Sequence, residues 1–279
     1  MKPTDRKSTS RQILTEEAYN GDALLSTRQR LYEDQYPAHD LPALASDAIK
    51  TACAGSARGQ TIIDVGCGNG RYVERLRQDF PDATVIGADL SPAMVELVPE
   101  PSQVVDIQSL PFADNSAEAL LAMHMLYHVP DIDQAIFELA RVCTPEGIVI
   151  VSTMSSQDKR ELTQLWSTAL ALYKGEPLPA APVSQTGVSF LLEDAEAKLA
   201  RQFDTVHRLD LRSEVPLREA GPILAHMASQ RSFTDLDDAQ FDAVLDIARM
   251  LVMGQIEERG RIVLRTHIGF VIGREPKPR

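Results

Sequence analysis

The sequence has few cysteines, fewer basic than acidic residues and no long apolar run. Its cysteines, Cys53, Cys67 and Cys143, are odd in number and far apart, which argues against a disulfide framework or a zinc site and fits a reducing cytoplasm. No apolar run reaches the roughly 18 residues of a membrane span, and no signal segment is recognisable. Lys and Arg total 28 against 40 Asp and Glu, a balance that disfavours nucleic acid and membrane surfaces as partners. We therefore expect a cytoplasmic protein that binds neither.

Strand-like and helix-like patterns alternate through the centre of the chain. Short apolar, often β-branched runs lie at residues 61–65, 83–90, 103–107, 119–126 and 147–154, with two more at 204–211 and 261–273. Helical spacing fills most of the intervals between them, and such alternation is typical of a parallel sheet covered on both faces. We predict an α/β fold, a Rossmann-like sheet of seven mostly parallel strands with helices on both faces and helical cap elements.

Helical segments outside this alternation indicate how the chain is divided. Residues 1–55 are predicted to form an N-terminal helical cap, and the polar segment 1–20 is expected to be loose at its extreme end. Residues 56–279 are predicted to form the Rossmann-like domain, with helical insertions at about 155–187 and 215–260.

The stretch TIIDVGCGNGRY, residues 61–72, places three glycines at alternate positions directly after the first strand. A loop there lies at the carboxyl edge of the sheet, where ligands bind, and glycine lets the backbone approach a ligand closely. The spacing alone leaves a dinucleotide, another cofactor or a neighbouring helix open as the partner. Asp64, two residues before Gly66, disfavours a pyrophosphate, because its carboxylate would repel that charge and would instead accept an ammonium group.

Two further acids end the next two strands. Asp89 lies about 19 residues after Gly70, where a carboxylate can accept both hydroxyls of a ribose. Asp106 ends the third strand, where it can accept a hydrogen bond from an adenine amine. Nicotinamide enzymes share the first of these acids, so an oxidoreductase remains an alternative. Each acid also has a local alternative, as a neighbour of the helix cap at Ser91 or as a turn residue.

Five segments together resemble the class I S-adenosylmethionine-dependent methyltransferases, and in particular the UbiE-like, type 11 small-molecule group. They are DVGCGNG, ADLSPAM, DIQSLPFADNS, MHMLYHVPD and LARVCTPEGIVIV, in the family's order across residues 60–154. The resemblance implies S-adenosyl-L-methionine as cofactor and a small-molecule methyl acceptor, with an O, N or C atom receiving the methyl. A non-catalytic S-adenosylmethionine-binding regulator is an alternative of another class. The oligomeric state is not predicted.

The resemblance also implies roles for individual positions. The residues implied to hold the cofactor are Asp64, Gly66, Cys67 and Gly68 at the methionine end, Asp89 and Leu90 at the ribose, Asp106 and Ile107 at the adenine, Met123 below, and Tyr19, Arg28 and Tyr32 closing over it.

Two histidines near the end of the fourth strand are candidates for a general base. His124 and His128 would face the substrate, and histidine titrates near neutral pH. A ring that only bonds the backbone is the alternative for each. The pair straddles a strand end and the turn at Pro130, which does not ensure the register of two metal ligands, and no metal is expected.

Overall fold

Seven strands form one sheet in the residues that the computed structural model describes, 7–53, 59–178 and 189–278. In chain order they are β1 (Thr61–Val65), β2 (Thr84–Asp89), β3 (Ser102–Val104), β4 (Ala117–Met123), β5 (Cys143–Met154), β6 (Phe203–Leu217) and β7 (Ile262–Pro276). Their spatial order is β3-β2-β1-β4-β5-β7-β6. Strand β7 is antiparallel to both neighbours and the other pairs are parallel. The predicted fold class is therefore confirmed.

Helices connect the strands and cover the sheet. They are α1 (Asp22–Arg30), α2 (Leu41–Ala52), α3 (Arg71–Asp79), α4 (Pro92–Val95), α5 (Ile132–Val142), α6 (Arg160–Lys174), α7 (Leu192–Leu199), α8 (Ala220–Ala228) and α9 (Asp238–Arg259). Side-chain caps fix several starts: Asp131 accepts the Gln134 N–H at 2.9 Å, and Asp237 and Gln240 form a capping box. None of the described helices has the length and apolar character needed to cross a bilayer.

The central strand β4 is buried on both faces. Successive side chains of a strand point to opposite faces, so Leu120 packs with Leu139 of α5, whereas Leu121 packs with Ile49 of α2 and Leu76 of α3. These four leucines and the isoleucine are completely buried. The two layers hold the sheet rigid, and its carboxyl edge is a fixed platform for the loops that follow the strands.

Helices α6, α8 and α9 form a separate apolar cluster with the C-terminal end of β6 and the N-terminal end of β7. Trp166 of α6 and Phe241 of α9 lie with ring centroids 5.2 Å apart, and Leu224 of α8 and Leu264 of β7 join them. The helical insertion predicted at about 215–260 is not one continuous helix. It is interrupted after Ala228, where a 3₁₀ turn at Arg231–Phe233 leads into α9. The division into a cap and a main domain stays a prediction.

The extreme N-terminal end, which is predicted to be loose, includes residues 1–6, and these lie outside the described residues. Residues 7–20 are ordered. A 3₁₀ turn at Lys7–Thr9 and a π-helix at Ile13–Ala18 are formed. Leu14 and Ala18 are buried against Phe233, which explains why this segment is ordered. Three apolar side chains in a polar stretch were too few to indicate burial, since their partner lies more than 200 residues away.

Replacing Leu120 by Ala tests how far stability depends on the middle of β4. We expect the free energy of unfolding to fall by about 2–5 kcal/mol, because a fully buried side chain is removed and leaves a cavity. Urea unfolding followed by circular dichroism measures the change. Leu172→Ala on α6, where Leu172 is 52% exposed, is the matched control and should change stability by about 0.5 kcal/mol or less. Equal effects of the two substitutions would contradict this account of the core.

Candidate ligand-binding site

A cavity of about 1100 Å³ lies where the carboxyl ends of the parallel strands meet the N-terminal segment and α8. A pocket for one drug-sized ligand has about 300–1,000 Å³, so the volume suits two small ligands side by side. The predicted site residues on its wall are Tyr19, Arg28, Tyr32, Gly66, Cys67, Gly68, Asp89, Leu90, Asp106, Ile107, Met123, His124 and His128. The structure thus brings together side chains that are up to 109 positions apart, such as Tyr19 and His128.

The glycine loop after β1 forms a backbone cradle in the cavity wall. The N–H groups of Gly66 and Cys67 donate to the Ala88 carbonyl at 2.7 and 3.0 Å, which anchors the loop on β2. Gly66 and Gly68 have φ of +75° and +53°, a region in which side chains are strained. A Cβ on Gly66 would lie 2.7 Å from Met125 Cγ. No larger residue fits at Gly66 unless Met125 or the loop moves, so the glycine is needed for both conformation and space.

Asp89 ties this cradle to the start of α4. Its Oδ2 accepts the Gly68 N–H and its Oδ1 accepts the Ser91 N–H, each at 2.9 Å. Burial raises the pKa of Asp89, although the hydrogen bonds from the backbone oppose that effect. Asp89 is therefore a neighbour of the Ser91 cap and a cavity residue at once.

Asp64 lies behind the loop rather than on the cavity wall. It is completely buried, and neither carboxylate oxygen has a hydrogen-bond partner among the described residues. Burial first, and then the Asp89 carboxylate, raise the pKa of Asp64 from 3.8 to about 8. The assignment of Asp64 as a direct ligand contact therefore stays a prediction. Its side chain points out from one face of the sheet, as strand side chains do, and not toward the strand end where the cavity lies.

The remaining strand-end residues give the cavity a polar corner and an apolar floor. Asp106 Oδ1 accepts the N–H and the side-chain amide of Gln108 at 2.9 and 3.2 Å, so it also shapes a turn. Ile107 and Met123 are buried apolar wall residues. Leu90 also lines the wall and packs against the cluster of Leu14, Ala18 and Phe233. Such a mixture of one carboxylate and flat apolar surface suits a purine base.

Cys67 has no reactive thiol. It is buried, and burial, with the nearby carboxylates of Asp64 and Asp89, raises the pKa of its thiol well above the usual value. The neutral thiol serves only to fill a small space in the loop.

His128 is fixed by hydrogen bonds at both ring nitrogens. Its Nδ1 lies 2.8 Å from the Ser8 carbonyl, which only accepts, so Nδ1 carries the proton. Its Nε2 lies 2.8 Å from the Tyr19 hydroxyl, which must then donate. The ring also stacks on Phe233 with centroids 5.4 Å apart. Burial lowers the pKa of His128 to about 4, so a neutral ring fastens the N-terminal segment over the cavity.

His124 differs from His128, because its ring forms no hydrogen bond with the described residues. Its φ is +53°, uncommon for a residue other than glycine. The backbone is held there by Ser152, whose carbonyl and hydroxyl oxygens accept the His124 N–H at 3.1 and 2.9 Å. Burial, followed by the Lys159 cation, lowers the pKa of His124 to about 4. A neutral imidazole with free nitrogens is therefore presented to the cavity from a strained position.

Three N-terminal residues are predicted to close over the cofactor. They lie in different parts of the roof, which is the N-terminal segment that covers the cavity. Tyr19 binds His128, and its carbonyl accepts the Ser91 hydroxyl at 2.8 Å, which connects the roof to α4. Arg28 is buried and packs over the Tyr19 ring at 5.2 Å. Tyr32 accepts a hydrogen bond from Lys159 at 2.7 Å.

Sequence reasoning missed three polar residues of the wall. Asp158 and Lys159 form a buried ion pair in the turn after β5, and the Asp158 carboxylate also accepts the His267 N–H at 2.9 Å. Their position after a predicted parallel strand was a usable signal. His226 on α8 is 8% exposed and lies in a generic helical stretch. Nothing in the pattern around it indicated a site.

Comparison with known proteins places this geometry among methyltransferases. Residues 63–151 match the family model Methyltransf_11, described as a methyltransferase domain. Malonyl-acyl-carrier-protein O-methyltransferase of Hahella chejuensis is 41% identical over 115 residues, which are 38% of this chain and 41% of that protein. Ubiquinone biosynthesis O-methyltransferase of Alkalilimnicola ehrlichii is 30% identical over 165 residues, 56% of this chain and 66% of that one. The chain thus covers less than two thirds of either relative.

A solved structure extends the likeness in fold. Phosphoethanolamine N-methyltransferase 2 of Haemonchus contortus, in complex with S-adenosyl-L-methionine, superposes with a TM-score of 0.54 at 14% identity. The match covers 96% of this chain and 60% of that one, and it supports the Rossmann-like fold class assigned to the sheet.

The buried carboxyl of Asp64 predicts a measurable pH dependence of stability. Its pKa in the folded chain, about 8, lies above the ordinary 3.8, so the folded state holds the proton more tightly than the unfolded state. The stabilisation is present below about pH 4 and is lost as the pH rises toward 8. Asp64→Asn removes this titration and should be more stable than the wild type at pH 8.5, by an order of a few kcal/mol.

Urea unfolding without added ligand at pH 4.5, 6.5 and 8.5 measures this difference. Asp82→Asn, at an exposed site, is the control and should follow the wild type throughout. A difference between Asp64→Asn and wild type that is the same at all three pH values would show that the carboxyl does not titrate there.

Proposed function

Because the chain carries a class I S-adenosylmethionine-dependent methyltransferase domain at residues 63–151, we propose that it transfers a methyl group from this cofactor to a small-molecule acceptor. The observation that carries the proposal is the backbone cradle of Gly66 and Gly68, anchored by Asp89 and opening into the large cavity. The cradle fits the cofactor, because the main chain of Gly66 and Gly68 lies in the cavity wall and carries no side chain that would keep a ligand away from it.

The donor set also fits the parts of the cofactor. The loop Gly66–Gly68 would hold the methionine end, Asp89 the ribose hydroxyls, and Asp106 with Ile107 the adenine. When bound, S-adenosylmethionine supplies an electrophilic methyl group on a positively charged sulfur. The roof formed by the N-terminal segment excludes water, and the rigid strand ends align the acceptor for in-line displacement.

We assign the general base to His124 rather than His128. The His128 nitrogens are both engaged, by Ser8 and Tyr19, whereas the His124 ring is free of hydrogen bonds to the described residues. A pKa of about 4 keeps His124 neutral above that pH, so its ring can take a proton from an acceptor O–H or N–H as the methyl bond forms.

Composition supports a small acceptor in the cytoplasm. The net charge of −12 opposes binding to nucleic acid, and Cys53, Cys67 and Cys143 are free thiols, as a reducing compartment favours. The names of the relatives state O-methylation only for those proteins, and the acceptor atom here follows from none of them.

The cradle is tested with two glycine substitutions that carry the same backbone strain. Gly66→Ala and Gly175→Ala both place a Cβ at positive φ, +75° and +67°, but only the first meets another atom, Met125 Cγ at 2.7 Å. Gly175→Ala should lose about 1–2 kcal/mol of stability from the backbone strain alone, and Gly66→Ala should lose more, because its Cβ also meets Met125. Gly66→Ala should also lose at least about tenfold in affinity for S-adenosylhomocysteine by calorimetry, and Gly175→Ala should keep wild-type affinity.

The same titration decides the proposed function. Wild-type protein should bind S-adenosylhomocysteine at one site per chain and show no comparable affinity for NADH. Tight binding of NADH instead would favour the nicotinamide-dependent oxidoreductase. Absence of S-adenosylhomocysteine binding would refute the methyltransferase proposal.

The base is tested by His124→Gln beside His207→Gln, an exposed histidine on β6. With an acceptor found by screening small phenols, amines and hydroxy acids for S-adenosylhomocysteine release, His124→Gln should lower kcat by about 10²–10⁴ with little change in KM. The wild-type kcat/KM, which reports the pKa of the free enzyme, should fall at acid pH with a midpoint near 4, and the variant should lose that limb. An unchanged kcat would exclude His124 as the base, and His207→Gln should behave as the wild type.

A further inference from the structure

Arg28 is a buried cation with no acidic partner among the described residues. Its side chain is on the cavity wall, and the residue is only 9% exposed. Nε and Nη2 donate to Ser229, to its hydroxyl at 3.3 Å and to its carbonyl at 2.7 Å, while Nη1 is buried without a hydrogen-bond partner. A buried guanidinium without a counter-charge is costly, and such groups are normally paired. Among the described residues, therefore, no negative charge balances that of Arg28.

The neighbours of Arg28 compensate its charge only in part. The guanidinium lies 5.2 Å from the Tyr19 ring centroid and 5.4 Å from that of Phe233, and such contacts offset only part of the cost of burying the charge. Of the wall carboxylates, Asp158 is paired with Lys159, Asp89 and Asp106 accept backbone N–H groups, and none forms an ion pair with Arg28. The cation is therefore left without a counter-charge among the described residues.

A second unpartnered polar atom lies within electrostatic reach of Arg28. The Nδ1 of His226, on α8, is buried without a hydrogen-bond partner among the described residues. Burial first, then the cations of Lys159 and Arg28, lower the pKa of His226 to about 3. The ring is therefore neutral, and in the tautomer with a proton on Nδ1 it offers one donor. Arg28 and His226 come from separate elements and line the same cavity.

We propose that the methyl acceptor carries a carboxylate that binds between Arg28 Nη1 and His226 Nδ1. The proposal rests on the proposed function and names the substrate class of that site. One guanidinium nitrogen and one imidazole nitrogen match the two oxygens of a carboxylate, whereas a phosphate dianion needs more donors than the pair supplies. The chain has a net charge of −12, which opposes a ligand with two negative charges more strongly than a ligand with one.

The carboxylate recognises the acceptor and does not itself receive the methyl. A carboxylate paired with a guanidinium is a weak nucleophile, and its methylation would remove the charge that Arg28 requires. The methyl then goes to a second group on the same molecule, a hydroxyl or an amine, whose proton His124 takes. The acceptor class is a small hydroxy or amino acid.

The experiment measures binding to protein saturated with S-adenosylhomocysteine, so that cofactor and acceptor sites are separated. The probes are hydroxybenzoates and ω-hydroxyalkanoates of four to twelve carbons, each compared with its own carboxamide. We expect at least one acid to bind, and its amide to bind at least tenfold more weakly, since the amide keeps the shape and loses the charge. Binding of acid and amide with equal affinity, or of neither, would overturn the proposal.

Variants of the two donors locate the carboxylate. Arg28→Gln should weaken binding of the acid about 10–100-fold, as expected for loss of a charged hydrogen bond, and leave the amide almost unchanged. Arg28→Lys should restore part of the loss, and His226→Phe should cause a smaller one. Arg249→Gln, at an exposed site on α9, is the matched control and should bind as the wild type.

Affinity for S-adenosylhomocysteine in the same variants distinguishes the possible failures. The resemblance implies that Arg28 closes over the cofactor, whereas this proposal gives it to the acceptor, so circular dichroism establishes that Arg28→Gln is folded and its affinity for S-adenosylhomocysteine decides between the two roles. We expect that affinity to equal that of the wild type. A loss of S-adenosylhomocysteine affinity, with affinity for 5′-methylthioadenosine retained, would mean that Arg28 holds the cofactor's own carboxylate and would overturn this proposal alone. Failure of the wild type to bind S-adenosylhomocysteine would overturn the proposed function instead.

Discussion

The Asp89 carboxylate carries the hydrogen bonds on which the rest of the site depends. One oxygen accepts the Gly68 N–H and the other accepts the Ser91 N–H, so the loop after β1 and the start of α4 are joined through one side chain. The Ala88 carbonyl adds the Gly66 N–H to the same unit. The Ser91 hydroxyl also donates to the Tyr19 carbonyl. The end of β2 therefore positions the glycine loop, the start of α4 and the N-terminal segment above the cavity.

The parts of the site that the sequence predicts are those governed by local patterns. The alternation of strands and helices determines the sheet, and parallel strands place their carboxyl ends at one edge. Gly66, Asp89 and Asp106 could therefore be assigned to one cavity from their positions after successive strands. Asp64 shows the limit of this reasoning: it lies inside β1, so its side chain points to one face of the sheet rather than to the strand end. On that face lies Tyr72 of α3, whose pKa is raised by burial first and then by the Asp64 carboxylate.

The parts that could not be predicted depend on contacts between distant segments. Arg28 reaches Ser229, and Leu14 reaches Phe233, pairs that no local periodicity specifies. His226 lies in a helix whose apolar pattern is accounted for by packing alone, so its ring carried no signal. His124 and His128 look alike in the sequence, and only their partners, none for one ring and two for the other, separate a candidate base from a structural fastening.

The bonds of the N-terminal segment bear on how ligands enter and leave. This segment is attached to the turn after β4 through His128, to α4 through Ser91, and to the 3₁₀ turn before α9 through Lys7 and the Thr234 carbonyl. Its few buried apolar residues make it one of the least stable parts of the described chain. A ligand in the cavity would lie beneath a roof held at three separate points, and local opening at those points would widen the way to the site.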